Sequence, residues 1–396
     1  MKSFDEILKL HSENILPTYG RYPVAFAKGE GCKLWDTEGK EYIDFASGIG
    51  VNSVGHSHPK WVEAVCSQAG MLAHVSNLFH TEPSAVLARK LCEISGMKGV
   101  FFSNSGAESV EGVIKTARKY SGDKYGPGRH TIITLENSFH GRTMAALTAT
   151  GQPEKFHKHF HPFVQGFRYV PANDFAALEA EAKAKDVCAL LIEFVQGEGG
   201  IMPLDAEYVK KAAEFCKKND WLLIADEVQT GIGRTGEWFA FQNYGVKPDI
   251  LAFAKGIAGG LPLGGFLVGE KTRATLGAGD HGTTYGGNPI CCSAALAVLE
   301  ILETALPLVK EKGAYIREKI TKMNLPYVKE IRGAGLMLGI KLEGTAHTDA
   351  VKKLLDAGLV ALVAGADILR FLPPLTISME EIDAGLHIIE KVFKEG

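Results

Sequence analysis

The sequence predicts an α/β protein with a mostly parallel central sheet, and three observations predict it. Short, continuous apolar runs recur from about Gly99 to Gly269, amphipathic helical patterns lie between several of them, and long helical stretches dominate after about Pro289. Runs apolar on successive residues suit strands buried on both faces, which a parallel sheet covered by helices requires.

The runs are Val100-Phe101-Phe102, Ile132-Ile133-Thr134-Leu135, Leu190-Leu191-Ile192, Leu222-Leu223-Ile224-Ala225, Ile250-Leu251-Ala252-Phe253 and Phe266-Leu267-Val268. Among the intervening helices, Val110, Val113, Ile114 and Ala117 fall at i, i+3, i+4 and i+7, one apolar stripe facing a sheet. Asp205 is a plausible N-cap for another, running through Tyr208, Val209, Ala212, Ala213 and Phe215. Nearer the start, Cys32 to Phe45 alternates around Asp36-Thr37-Glu38-Gly39, the pattern of a β-hairpin. After Pro289 come a helix from Ser293 to Leu306, a strand-like unit at Gly335 to Leu342 and a last helix near Glu380 to Lys394. The expected division is a large domain at 61–290 and a smaller α+β domain built from segments 1–60 and 291–396.

Bulk properties narrow the function. With 396 residues and 46% hydrophobic content the chain can bury a large core. A formal net charge of -3 without a long Lys or Arg run gives no footprint for nucleic acid or an anionic membrane, so a small diffusible substrate is expected. Met1 to His11 interleaves charges with isolated apolar residues, unlike a signal peptide, and no later stretch reads as the roughly 20 apolar residues of a membrane helix. A cytoplasmic protein is expected. Its seven cysteines are odd in number, scattered and free of any C-x-x-C pair, which fits reduced core fillers better than disulfides or zinc.

In open α/β sheets ligands bind beyond the carboxyl ends of the strands, so the residues after each run carry the chemistry. After Phe102 comes Ser103-Asn104-Ser105-Gly106-Ala107-Glu108, entering the amphipathic helix. Small residues there let backbone N–H groups approach a phosphate, although a plain strand-to-helix turn favours the same residues. After Ala225 comes Asp226-Glu227-Val228-Gln229. A carboxylate in that position can keep a pyridine nitrogen protonated, or serve as an N-cap or metal ligand. After Ala254 comes Lys255, backed by a Gly-rich stretch from Gly256 to Gly265. A buried lysine has a lowered pKa and is a neutral nucleophile; a surface lysine is the plain alternative. Phe139-His140-Gly141-Arg142-Thr143 offers an aromatic to stack on a flat ring and an arginine to clamp a carboxylate, or else ordinary packing and a surface ion pair.

These residues, taken in that order, resemble the class III (ω-amino acid) aminotransferases, pyridoxal 5′-phosphate (PLP) enzymes of fold type I. The likeness extends over Thr18-Tyr19-Gly20-Arg21-Tyr22-Pro23, Gly55-His56-Ser57-His58-Pro59, His74-Val75-Ser76-Asn77-Leu78-Phe79, Asn137 to Thr143, Gln196-Gly197-Glu198-Gly199-Gly200, Asp226 to Gly231, Gly282 to Pro289 and Leu369-Arg370-Phe371-Leu372-Pro373-Pro374-Leu375.

The resemblance implies roles residue by residue. Lys255 is similar to the lysine that bonds the cofactor aldehyde and shuttles protons, Asp226 to the partner of the pyridine nitrogen, and Gln229 to the neighbour of the ring 3′-oxygen. Phe139 would stack on the ring, with Val228 also against the cofactor. Ser105, Gly106 and Ala107 would hold the phosphate. Thr284 resembles a phosphate ligand donated by the other subunit, which implies a homodimer with shared active sites. Arg142 is similar to the arginine that binds the donor's α-carboxylate. Glu198 and Arg370 resemble a switch pair: the carboxylate neutralises Arg370 while the amino donor is bound, then releases it to hold 2-oxoglutarate. Tyr19, Arg21 and Thr283 are candidates for the distal part of the donor.

Within the family the chain looks most like the members that use N2-acetylornithine as donor and 2-oxoglutarate as acceptor, forming glutamate. It departs from them at Gly20 and Val110, where they usually carry Asn, and at Phe194, where Pro follows the strand Glu. Ornithine, succinylornithine, γ-aminobutyrate and carrier-bound amines are the alternative donors. An aminomutase on the same scaffold would not need the Glu198 and Arg370 pair, and a PLP-sensing regulator would need a basic helix-turn-helix segment that is not visible. His157, His159 and His161 alternate, but no nearby carboxylate or Cys completes a ligand set, so no metal is expected. Gly55 to His58 reads as a structured turn.

Overall fold

A computed structural model describes residues 2–395. Its centre is a seven-stranded sheet in the spatial order Gly99–Ser103, Gly264–Val268, Ile250–Phe253, Leu222–Asp226, Val187–Ile192, Thr131–Leu135, Phe167–Val170. The last five strands in that order run parallel; Gly264–Val268 is antiparallel to both neighbours.

Alternate residues of each run point to opposite faces, and both faces are covered. Ile132, Leu191, Ile224 and Ala252 belong to one buried cluster, together with Val110, Val113, Ile114 and Ala117 of the helix Gly106–Tyr125. Their neighbours Ile133, Leu190, Leu223 and Leu251 belong to the other. Burying each of the valines, leucines and isoleucines among them contributes about 1.5–3 kcal/mol, which is why the runs are continuously apolar rather than alternating.

The expected hairpin is present as Lys33–Asp36 paired with Glu41–Asp44, with Phe26–Glu30 on its outer side. Leu359–Val360 pairs in parallel with Ile43 and Asp44, so the chain's beginning is tied to its C-terminal third. There a four-stranded antiparallel sheet runs in the order Val328–Ala334, Met337–Leu342, Ile368–Phe371, Leu362–Ala364, followed by the helix Met379–Glu395. The turn around His56 is anchored by the buried Asp44, whose Oδ2 lies 2.8 Å from His56 Nε2.

Four expectations need correction. Phe167–Val170 is a seventh strand, hidden in the sequence because an edge strand reads Phe-Arg-Tyr-Val rather than as an apolar run. Asp205 sits at the N-cap of Ala206–Asn219, but its side chain makes no capping bond. Pro289–Met323 is long and apolar enough to cross a membrane by length and composition. Its first part, Pro289–Ala305, is a core helix packed against Pro59–Met71 and Glu82–Ser95. Lastly, Cys66 is exposed on the helix Pro59–Met71 and is no core filler, whereas Cys32, Cys188, Cys216, Cys291 and Cys292 are buried.

Candidate active site

Three strands, Gly99–Ser103, Leu222–Asp226 and Ile250–Phe253, end at one cavity of about 570 Å³. Its lining includes Tyr19, Ser105, Gly106, Ala107, Phe139, Arg142, Asp226, Val228, Gln229 and Lys255. A larger surface groove of about 820 Å³ holds none of the residues singled out from the sequence, and its Lys60–Glu300 and Lys90–Glu303 pairs leave those charges satisfied.

Lys255 follows its strand in a left-handed conformation, φ 43°, which costs a non-glycine residue energy and persists only when the surroundings enforce it. They do so on both sides: Ser109 Oγ donates to Phe253 O at 3.0 Å and Ser53 Oγ to Gly256 O at 2.6 Å. The side chain opens into the cavity. Burial pushes its ammonium pKa down, with Arg370 acting the same way, and this outweighs the attraction of Glu198, Asp226 and Glu193.

Asp226 ends the neighbouring strand and is 4% exposed. Its Oδ1 accepts from Val228 N at 3.0 Å, and its Oδ2 accepts from His140 Nδ1 at 2.7 Å. His140 is buried, and its Nε2 has no partner among the described residues. Glu193 follows the strand Val187–Ile192 and turns its two carboxylate oxygens to the N–H groups of Phe139, at 2.8 Å, and Gly197, at 3.1 Å. Burial raises its carboxyl pKa. Both His140 and Glu193 line the cavity, and neither was assigned a role from the sequence. The rule that pointed to Asp226 and Lys255, reading the residue after each apolar run, also finds Glu193 after Ile192.

Ser105 caps the 20-residue helix Gly106–Tyr125, its Oγ accepting from Glu108 N at 3.2 Å. Gly106 and Ala107 line the cavity, and as the first residues of the helix their N–H groups have no intrahelical partner, where the helix dipole adds positive potential. Any side chain at 106 would collide with Val228, since a Cβ would lie 2.6 Å from its Cγ1. A glycine cradle beside an apolar face, an anion-binding helix start, an inward carboxylate and an amine of lowered pKa together fit a flat, phosphorylated pyridine aldehyde.

Two arginines complete the constellation. Arg370, 4% exposed on the strand Ile368–Phe371, places Nη1 2.5 Å from Glu198 Oε1 and 3.5 Å from Gln229 Oε1. Arg142 stands at the cavity with its guanidinium over the Phe139 and Phe156 rings. Arg21 stacks its guanidinium 5.7 Å from the Tyr19 ring, outside the lining. Thr283 Oγ1 accepts from Asn104 Nδ2 at 3.0 Å, one residue behind the cavity wall. Thr284 is exposed and outside the lining of this chain's cavity. Val110 and Phe194 are core residues and Gly20 is exposed, and none of these three departures from the family pattern lines the cavity.

Residues 16–393 match the Aminotransferase class-III family. The acetylornithine aminotransferase of Haemophilus ducreyi is 50% identical over 393 residues, covering 99% of both chains. Among solved structures, the acetylornithine aminotransferase of Elizabethkingia anophelis superposes with a TM-score of 0.89 at 33% identity over 100% of both chains. The ornithine aminotransferase of Toxoplasma gondii, whose active site was seen partly occupied by PLP, gives a TM-score of 0.94 at 32% identity, covering 99% of this chain and 95% of that one.

Proposed function

The chain belongs to the class III aminotransferases, which use PLP, and on that footing we propose that it transfers the δ-amino group of N2-acetyl-L-ornithine to 2-oxoglutarate. The products are N-acetyl-L-glutamate 5-semialdehyde and L-glutamate. That reaction belongs to arginine biosynthesis, and we take the enzyme to work in the cytoplasm. One observation carries the reading: an unpaired Arg142 lines the cavity with Lys255, and a carboxylate-paired Arg370 stands just behind it, 3.5 Å from the lining residue Gln229 and near enough to Lys255 to lower its pKa, as an enzyme alternating between two carboxylate substrates requires.

When bound, PLP supplies an aldehyde that takes up an amine and a ring that withdraws electrons from the adjacent carbon. Asp226, fixed by His140, would hold the ring nitrogen protonated, and Gln229 would stand beside the 3′-oxygen. Phe139 and Val228 would flank the ring, with Ser105, Gly106 and Ala107 on the phosphate. Lys255 Nζ, whose pKa burial lowers, would take the proton from the donor's δ-carbon and return it one position along. Arg142 fixes the donor's α-carboxylate, so that the far amine, not the α-nitrogen, reaches Lys255. Tyr19, Arg21 and Thr283 bound the distal part. During this half Glu198 neutralises Arg370; in the second half Arg370 is released to hold the α-carboxylate of 2-oxoglutarate.

We further propose a homodimer in which Thr284 serves the partner's phosphate site. Supporting this, Thr284 is exposed, Asn77 Nδ2 donates to Thr283 O at 3.2 Å, and the adjoining apolar residues Leu78, Phe79 and Tyr285 are 87%, 67% and 64% exposed. Rates on N2-acetylornithine, ornithine, succinylornithine and γ-aminobutyrate with 2-oxoglutarate as acceptor test the assignment. The acetylated donor should have the highest kcat/KM; a higher value for another donor would move the enzyme to that sibling activity. Lys255→Ala should lose turnover, and wild-type rates in that variant would overturn the whole reading.

A further inference from the structure

The two arginines of the site are held by opposite means. Arg370 is clamped by a carboxylate that must move before a substrate can take its place. For Arg142, no hydrogen-bond or ion-pair partner exists among the described residues; its Cζ lies 4.4 Å from the centroid of Phe156 and 5.7 Å from that of Phe139. The two rings are themselves in contact, with centroids 5.2 Å apart and planes tilted by 60°.

The backbone around Phe156 fixes this stack. Gln152 Nε2 donates to Asn137 O at 3.1 Å and to Ser138 O at 3.0 Å, and Asn137 N donates to Gly151 O at 2.7 Å. Residues 151–156 are therefore docked along the segment that leads into Phe139. Phe156 ends the short helix Pro153–Phe156 and is 6% exposed; Arg142 lies nearest its ring, Cζ 4.4 Å from the centroid, with Lys155 Nζ at 4.9 Å.

We propose that Phe156 is a positioning residue for donor binding, an aromatic shelf that orients Arg142 without consuming any of its N–H donors. This rests on Arg142 as the ligand of the donor's α-carboxylate. An aromatic face attracts a guanidinium through its quadrupole and leaves the in-plane N–H edge free for bidentate recognition. A carboxylate in the same place would compete with the substrate; a bare arginine would lose more side-chain freedom on binding. Through Phe139 the shelf also fixes Arg142 relative to the ring-stacking face, and so sets how far from Lys255 the donor's amine arrives.

The test is a KM-against-kcat comparison on the holoenzyme. Phe156→Leu should raise KM for N2-acetylornithine about 3- to 20-fold with kcat within about twofold, and Phe156→Tyr should stay near wild type. Because the leucine variant removes packing as well, the decisive series replaces Phe156 by singly, doubly and triply fluorinated phenylalanine, which keeps the shape and drains the ring face. KM should climb with each fluorine; a flat series, or a tyrosine variant as impaired as the leucine one, overturns the proposal. Arg142→Ala separates the two layers. If it leaves donor KM unchanged, the role of Arg142 itself fails; if it raises KM while the fluorine series is flat, only the shelf fails.

Discussion

Arg370 and Glu198 meet across 172 residues of sequence, Nη1 2.5 Å from Oε1, with the arginine 4% exposed and the carboxylate more open. Burial alone would raise the Glu198 carboxyl, yet the charge and hydrogen bond of Arg370 hold it below its ordinary value. The pair is therefore ionised and competes with any α-carboxylate for Arg370. Removing the competitor with Glu198→Ala should lower KM for glutamate by about fivefold and slow the acetylornithine half-reaction by about tenfold, less than truncating one partner of a fully buried charge pair costs because Glu198 is partly open to solvent. Stopped-flow rates of the two half-reactions measured separately are the check. Equal changes in both would mean that the pair is structural and not a switch.

His140 holds Asp226 by a buried 2.7 Å contact, and a hydrogen bond to a charged group is worth about 1.5–3 kcal/mol. His140→Leu should accordingly cut kcat about 10- to 100-fold while donor KM stays within about threefold, since no substrate contact is removed. Steady-state kinetics at saturating PLP distinguish this from simple cofactor loss. A variant with unaltered kcat would show that Asp226 needs no help to stay in place.

Much of this was legible before the fold was known because the chemistry sits where strand meets loop. Asp226 and Lys255 are each the last or near-last residue of an apolar run, and the run itself announces the address. What stayed hidden depends on pairing across the chain. That His140 points at Asp226, 86 residues away, or that Phe156 underlies Arg142, has no periodicity to betray it. The strand Phe167–Val170 escaped for a related reason: at the sheet's edge only part of it is buried, so Arg168 can be spared for an ion pair with Asp186 and the apolar signal breaks. Glu193 is legible by the same rule, since it follows its apolar run as Asp226 does.

Gly106 opens the helix that faces the proposed phosphate, and its missing side chain is what lets Val228 sit 2.6 Å from the place a Cβ would take. Alanine is the better helix former at that position, so Gly106→Ala should cost the helix nothing and act through Val228 alone. We expect the PLP dissociation constant to rise about tenfold or more as Val228 is pushed into the ring's space, with the apo protein's Tm lowered only slightly. Fluorescence titration of apo protein with PLP measures the first, and calorimetry the second. A large Tm loss with unchanged PLP affinity would relocate the glycine's importance from cofactor binding to packing.

Lys255 ought to weaken the fold it serves. Its ammonium pKa is lowered by burial, so below the ordinary lysine pKa of 10.5 the folded apo protein binds fewer protons than the unfolded chain does. Wild-type apo stability should therefore rise with pH on account of this group, by up to about 1.4 kcal/mol per pH unit between the lowered folded value and 10.5, and level off above. Lys255→Met removes the titrating amine and keeps the length. The variant's apo Tm should exceed that of the wild type at neutral pH, and the gap should close as pH approaches 10.5. Differential scanning calorimetry of both apo proteins across that range decides the matter: a gap independent of pH would mean that the amine remains charged in the folded chain, which would remove the neutral base on which the proton transfer depends.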